Sequence, residues 1–206
     1  MAQGLEEFLA LGRELPLLPT CDHFYFLRHG QTARNLQRIF QAPDEPLNDT
    51  GLEQARGAAA LLAGEPICTI VCSDAQRAMT TALTVAAPHA IAPMPDEGLR
   101  ERNFGALIGT SSMRIDWACE PENGETLAVF MQRKHAALSR ALALPAPVLV
   151  VAHGGSLYAL AAMLGIPMDM KLLGNAQPLR FARSGTIWSI EPLIQPQAVD
   201  DGAALA

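Results

Sequence analysis

Five apolar residues in a row, Val148–Ala152, stop abruptly at His153, and comparable short runs occupy His23–Arg28, Ile67–Cys72 and His89–Pro93. Runs this short and this apolar do not alternate between a wet and a dry face. They predict strands covered on both sides. Between them lie helical stretches, expected over Leu52–Ala63, Ala75–Ala86, Glu125–Leu142 and Ser156–Leu164. Asn48, Asp49 and Thr50 offer caps for the first of these, and Thr50 with Glu53 forms a capping-box pattern. Two further strands, Leu179–Arg183 and Thr186–Glu191, are separated only by Ser184 and Gly185 and predict an antiparallel hairpin at a sheet edge. Such alternation predicts the α/β class: a three-layer α/β/α sandwich around a mostly parallel six-stranded sheet with one antiparallel edge strand.

The rest of the chain bounds this picture. With 206 residues, half of them apolar, and a net charge of −6, the chain can bury a full core and does not have the composition of a disordered protein. Residues 1–22 read as an added helix, with Leu5, Phe8, Leu9 and Gly12 at helical spacing before Pro16 and Pro19. Residues 23–194 form the expected main domain, and 195–206, without any period, are expected to fray. The longest apolar stretch, Pro145–Leu164, is interrupted by His153, Gly154, Gly155 and Ser156, so no membrane span is expected. Glu6, Glu7 and Glu14 do not make a secretory signal, and the expected location is the cytoplasm. A pI near 5.3 argues against nucleic acid as a partner. Cys21, Cys68, Cys72 and Cys119 lack ligand or disulfide spacing and read as buried thiols. Whether two copies associate as a homodimer is left open.

In a sheet of this kind ligands bind beyond the carboxyl ends of the strands. Three strand ends here carry polar residues: FYFLRHGQT, IVCSDAQRA and VLVVAHGGS. Two histidines and two arginines should therefore meet on one rim.

Those side chains suit phosphoryl chemistry. The His29 imidazole can attack phosphorus if a hydrogen bond fixes its proton on Nδ1. Arg28 and Arg77 carry the planar fork that neutralises a phosphate dianion. Arg77 falls in the first turn of a helix, where a cation is disfavoured unless something anionic compensates. Gly30 would let backbone approach the phosphate, and a short helix near Thr32 could aim amides at it. His153 could stabilise charge on an equatorial oxygen. Glu101 is the candidate proton donor to a leaving alkoxide; Glu125, at a helix start, is the weaker one. The neighbours of Glu101, Arg100 and Arg102, should alternate away from it, at least one as a surface charge. Ser73 and Asp74 read as helix caps, and His23, His89 and His135 as edge or surface residues.

With these residues in view, the chain resembles the histidine phosphatase superfamily, the phosphoglycerate-mutase-like group, from about residue 22 to 192. LRHGQTARN resembles its opening motif and EPLNDTGLEQA the lead into its first long helix. SDAQRAMTTA, LRERNFGALIG and AHGGSLYAL supply Arg77, Glu101 and His153 in the family's order. The resemblance implies that His29 becomes phosphohistidine, that Arg28, Arg77 and His153 hold the phosphoryl group, and that Glu101 protonates the leaving group and then activates water. Gly30, Gln31, Thr32, Asn35 and Gly154 would bind the substrate, a small phosphorylated metabolite. Neither metal nor cofactor is implied.

The family holds both mutases and phosphatases. A mutase calls for extra cations and a substantial lid, yet Ala106–Gly124 is short and sets Arg114 against Asp116, Glu120 and Glu122. Phe104 stands where cofactor-dependent mutases usually have tyrosine, and PENGETLAVFMQR resembles phosphatase members. A metal-independent phosphomonoester hydrolase is therefore expected, with mutase-type phosphoryl transfer as the alternative and a non-catalytic phosphate binder behind it. Ile108 stands where many phosphatases have an acid. Phe104, Leu107, Ile108, Met113 and Trp117 predict an apolar rim suited to a substrate with an apolar or neutral portion. A serine-hydrolase elbow at Ser156 fails, because Tyr158 replaces the required glycine.

Overall fold

A computed structural model describes residues 3–194. Its strands are β1 (His23–Arg28), β2 (Thr69–Cys72), β3 (Met94–Pro95), β4 (Val148–Ala152), β5 (Pro178–Ser184) and β6 (Ile187–Pro192). Its helices are α1 (Leu5–Glu14), α2 (Ala33–Leu36), α3 (Asp49–Leu62), α4 (Gln76–Ala86), α5 (Leu127–Leu142) and α6 (Gly154–Met163). The six strands form one sheet in the order β3-β2-β4-β1-β5-β6, parallel from β3 to β1, with antiparallel pairing of β5 to both its neighbours. Gly185, at φ 62°, turns the β5–β6 hairpin where a side chain would be strained.

Alternation along the central strands builds the three layers. Phe24, Phe26, Val148 and Val150 face one way and pack with Phe8, Phe130, Leu138, Leu157 and Leu160 from α1, α5 and α6. Tyr25, Leu27, Leu149 and Val151 face the other way, against Ala58, Leu62, Ala82 and Val85 from α3 and α4. Every residue of β4 is fully buried. Each large apolar side chain taken out of water here contributes about 1.5–3 kcal/mol. No described helix is long and apolar enough to cross a membrane.

Several local expectations need correction. The apolar run His89–Pro93 is not a strand: Ala87–His89 is a 3-10 turn, Ala90 takes φ 54°, and β3 is only the edge pair Met94–Pro95. Pro88, Pro93 and Pro95 cannot donate to a ladder, which confines this segment to an edge. The capping box at Thr50 is not used; Asn48 caps α3 by accepting from the Gly51 amide at 2.8 Å. Cys68 is exposed and Cys21 and Cys119 are half-buried, leaving Cys72 as the buried thiol. The segment 195–206, expected to fray, lies outside the described residues.

Candidate active site

Sheet register decides where the polar strand ends meet. Arg28 pairs with Ala152 across the parallel β1–β4 ladder, and Cys72 pairs with Val151 across β2–β4. The next residues, His29, His153 and Ser73, therefore leave the sheet side by side. The His29 amide donates to the Ala152 carbonyl at 3.0 Å, and the Ser73 amide to that of Val151 at 2.9 Å. The two imidazole centroids lie 5.1 Å apart with planes inclined at 61°.

His29 Nδ1 stands 2.7 Å from the Gly30 carbonyl oxygen. A carbonyl can only accept, so Nδ1 carries the proton and Nε2 keeps its lone pair. Burial, then Arg77 and Arg28, push the His29 pKa well below its ordinary value, so the ring is neutral at neutral pH. His153 is lowered likewise, by burial and then by Arg77 and His29. Its Nε2 lies 2.9 Å from Ser73 Oγ, which also accepts from the Ala75 amide at 3.3 Å. Ser73 is thus a partner of the second histidine as well as a local turn residue, and the cap position of α4 is Ala75.

Two guanidinium groups flank the rings. Arg28 ends β1 and donates through Nη1 to the Leu173 carbonyl at 2.5 Å; Arg77 sits in the first turn of α4 and donates through Nη1 to that of Ala42 at 2.8 Å. Burial brings Arg77 down to about 10, which leaves it a cation at neutral pH. Among the described residues, three nitrogens of this group are buried without a hydrogen-bond partner: Arg28 Nε, Arg77 Nε and His153 Nδ1. A buried polar nitrogen left alone costs about 1–3 kcal/mol, more when charged. Arg28, Arg77 and His153 all border one cavity, and two guanidinium groups with spare N–H donors beside it suit an anion.

Glu101 completes the cluster. One carboxylate oxygen accepts from the Gly155 amide at 2.8 Å and the other from the Arg102 amide at 2.9 Å. Gly155 is required by this contact, because a Cβ there would fall 2.3 Å from Glu101 Oε1. Glu125 lies elsewhere. It pairs with Arg133 at 2.7 Å and accepts from the Asn103 amide; burial alone would raise its carboxyl, but these bonds hold it below the usual range.

All of Arg28, His29, Arg77, Glu101, His153, Asn35 and Gly154 border one cavity of about 360 Å³. Gln31 and Thr32 do not. Gln31 accepts from Asn48 through its side chain, while Thr32, fully buried, accepts from the Asn35 amide and donates to Gln41. The close approach that Gly30 permits is to the Gly51 carbonyl at the start of α3, where a Cβ would meet oxygen at 2.4 Å. These residues shape the loop that carries His29. The rim also differs from expectation. Phe104 and Trp117 line the cavity, joined by Ile39, Phe40, Ile115, Tyr158 and Leu173, whereas Met113 is 68% exposed and Leu107 packs on the core. Ile108 borders a neighbouring cavity with Arg77 and Glu101. Arg100 is the surface charge, paired with Asp74. Arg102, by contrast, is 3% exposed and donates to the carbonyls of Trp117, Cys119 and Glu125.

Sequence and structure comparisons agree with this geometry. Residues 24–177 match the family model of the histidine phosphatase superfamily (branch 1), and the chain belongs to that superfamily. Among curated relatives, the protein named probable phosphoglycerate mutase GpmB of Yersinia pestis (strain Pestoides F) is 34% identical over 167 residues, 69% of this chain and 75% of that protein. An agropine synthesis reductase of Rhizobium rhizogenes is 32% identical over 179 residues, 82% of this chain; the match spans only 41% of that longer protein. A solved mycobacterial glucosyl-3-phosphoglycerate phosphatase in complex with VO3 is 28% identical with a TM-score of 0.70, covering 83% of this chain and 98% of that one. The α-ribazole phosphatase of Shigella flexneri, at 22% identity and TM-score 0.69 over 83% of this chain and 95% of its own, shares the fold.

Proposed function

We propose that this chain is a metal-independent phosphomonoester hydrolase working through a phosphohistidine on His29. The observation that carries this reading is the trio of unpartnered buried nitrogens on Arg28, Arg77 and His153 around a neutral imidazole whose Nε2 is free. The phosphoryl group binds between the two guanidinium groups, which supply the positive charge that a metal would otherwise provide. Ser73 Oγ, already accepting from Ala75, donates to His153 Nε2, so that the His153 proton sits on Nδ1 and is offered to a phosphoryl oxygen. His29 Nε2 then forms a bond to phosphorus as the ester P–O bond breaks, and Glu101 gives its proton to the departing alkoxide. In the second half, the Glu101 carboxylate takes a proton from water, whose oxygen displaces His29 and releases inorganic phosphate.

Gly154 and Asn35, both bordering the cavity, serve the phosphoryl end, while Gly30, Gln31 and Thr32 hold the loop of His29. The aromatic and aliphatic walls favour a small metabolite whose organic part is apolar or neutral. The likeness to the Yersinia protein named as a phosphoglycerate mutase supports a second reading, phosphoryl transfer between positions of one substrate. Hydrolysis is favoured because the segment that would form a mutase lid is short and acidic. The test is phosphate release across sugar phosphates, nucleotides, phosphoglycerates and aryl phosphates, run beside a phosphoglycerate mutase assay. Preference for esters with apolar or neutral organic parts supports the proposal. Mutase turnover without phosphate release, or a preference for bisphosphates, contradicts it.

A further inference from the structure

The first residues of the chain lie outside the stretch that matches the superfamily, which begins at residue 24, yet they reach the cavity wall. Phe8, on α1, is fully buried. Its ring meets that of Trp117 edge-on at 4.8 Å and 71°, and that of Tyr158 at 6.2 Å and 72°. Trp117 and Tyr158 both line the cavity, whereas Phe8 does not. The backbone follows the same pattern. The Trp117 amide donates to the Gln3 carbonyl at 2.9 Å, and Gly4, at φ 73°, comes so close that a Cβ on it would lie 2.3 Å from the Ala118 nitrogen. α1 is itself anchored on α6 through Gly12, where a Cβ would lie 2.4 Å from that of Ala162. On its other side the 117–119 segment is held by Arg102, next in sequence to Glu101. Trp117 is thus gripped between the N-terminal helix and the loop that carries Glu101.

We infer that residues 3–12 brace a specificity-determining wall of the active site from behind, with Phe8 as the positioning residue that sets the Trp117 ring against the organic part of the substrate. This deepens the phosphatase reading and rests on the same cavity, but it concerns the Trp117 wall rather than the nitrogens of Arg28, Arg77 and His153. Among the described contacts, Phe8 and Gly4 touch none of Arg28, His29, Arg77 or His153. Altering them should change how the organic group is held and leave the anion site as it was.

The experiment compares binding of phenylphosphonate, which cannot be hydrolysed, with that of inorganic phosphate by calorimetric titration of the full chain. Phe8→Leu keeps the site apolar and lets the chain fold; Gly4→Ala displaces Ala118 from a different residue. An aromatic edge contact corresponds to roughly a two- to tenfold effect. Each variant is expected to weaken phenylphosphonate by about that factor, with inorganic phosphate unchanged within about twofold. Equal losses for both ligands, no loss for either, or no binding of phenylphosphonate by the unaltered chain overturns the inference. Because binding is read without turnover, a chain that binds both ligands but hydrolyses no ester would sink the phosphatase reading and leave this one standing.

Discussion

Replacing Gly155 with alanine tests the assignment of Glu101 more sharply than removing the carboxylate. The new Cβ would lie 2.3 Å from Glu101 Oε1 and 3.1 Å from the Trp117 ring. Ordinary van der Waals contact begins near 3.4 Å, so the carboxylate, the far end of a flexible side chain, must retreat by about 1 Å. A displacement of that size at a reacting group costs on the order of 10²-fold in rate. Alanine is the better helix former by up to about 1 kcal/mol, so helix propensity does not oppose folding at this position in α6. If Glu101 protonates the leaving group, the loss depends on how much the leaving group needs that proton. Values of kcat/KM, which report the step up to cleavage of the ester, should fall about 10²-fold for alkyl phosphates. For p-nitrophenyl phosphate, whose phenolate departs unaided, the fall should be only several-fold. Equal losses on the two substrates, or no loss on either, would refute the role of Glu101 as acid.

Three other outcomes follow from the same contacts. Ser73→Ala removes the partner of His153 Nε2 and is expected to lower kcat about tenfold or more with KM for p-nitrophenyl phosphate little changed; an unaltered kcat would remove Ser73 from the site. His29 and His153 have folded pKa values below the ordinary 6.5, so below pH 6.5 the unfolded chain binds more protons and native stability falls. Urea unfolding in phosphate-free buffer should show stability falling as the pH drops below 6.5, at up to about 1.4 kcal/mol per pH unit per histidine, with a shallower slope in His153→Gln; a flat profile contradicts the burial argument. Arg102→Met strips buried donors from the carbonyls of Trp117, Cys119 and Glu125 and should lower unfolding stability by about 3 kcal/mol or more; a change under about 1 kcal/mol would show that Arg102 does not organise the wall.

The parts of the site that the sequence revealed are those where an apolar run stops at a charged residue. Arg28, His29 and His153 stand at such stops, and strand alternation with parallel order suffices to bring them together. Arg77 was legible as a cation in an electrostatically unfavourable place. Ser73 reads as a cap in the sequence because its partner lies 80 residues away, beyond the end of a neighbouring strand that local pattern cannot place. Arg102 reads in the sequence as one of two residues alternating with Glu101. That rule holds for extended strands, but residues 100–104 are a loop, and it turns the Arg102 guanidinium onto the carbonyls of Trp117, Cys119 and Glu125. The rim was only half right for a related reason. Between Gly105 and Cys119 no period is sustained, so hydrophobicity alone could not tell the inward Trp117 from the exposed Met113. His89–Pro93 misled in the opposite direction, since its apolar character outweighed three prolines that forbid a central strand.

The most direct test of the central claim is to quench the enzyme during turnover of a ³²P-labelled phosphomonoester and map the label. Phosphate that survives base, is lost in acid, and sits on the peptide containing His29 is the expected result, with no label in His29→Ala. Turnover without labelled His29, or near-normal rates in His29→Ala, would contradict the mechanism.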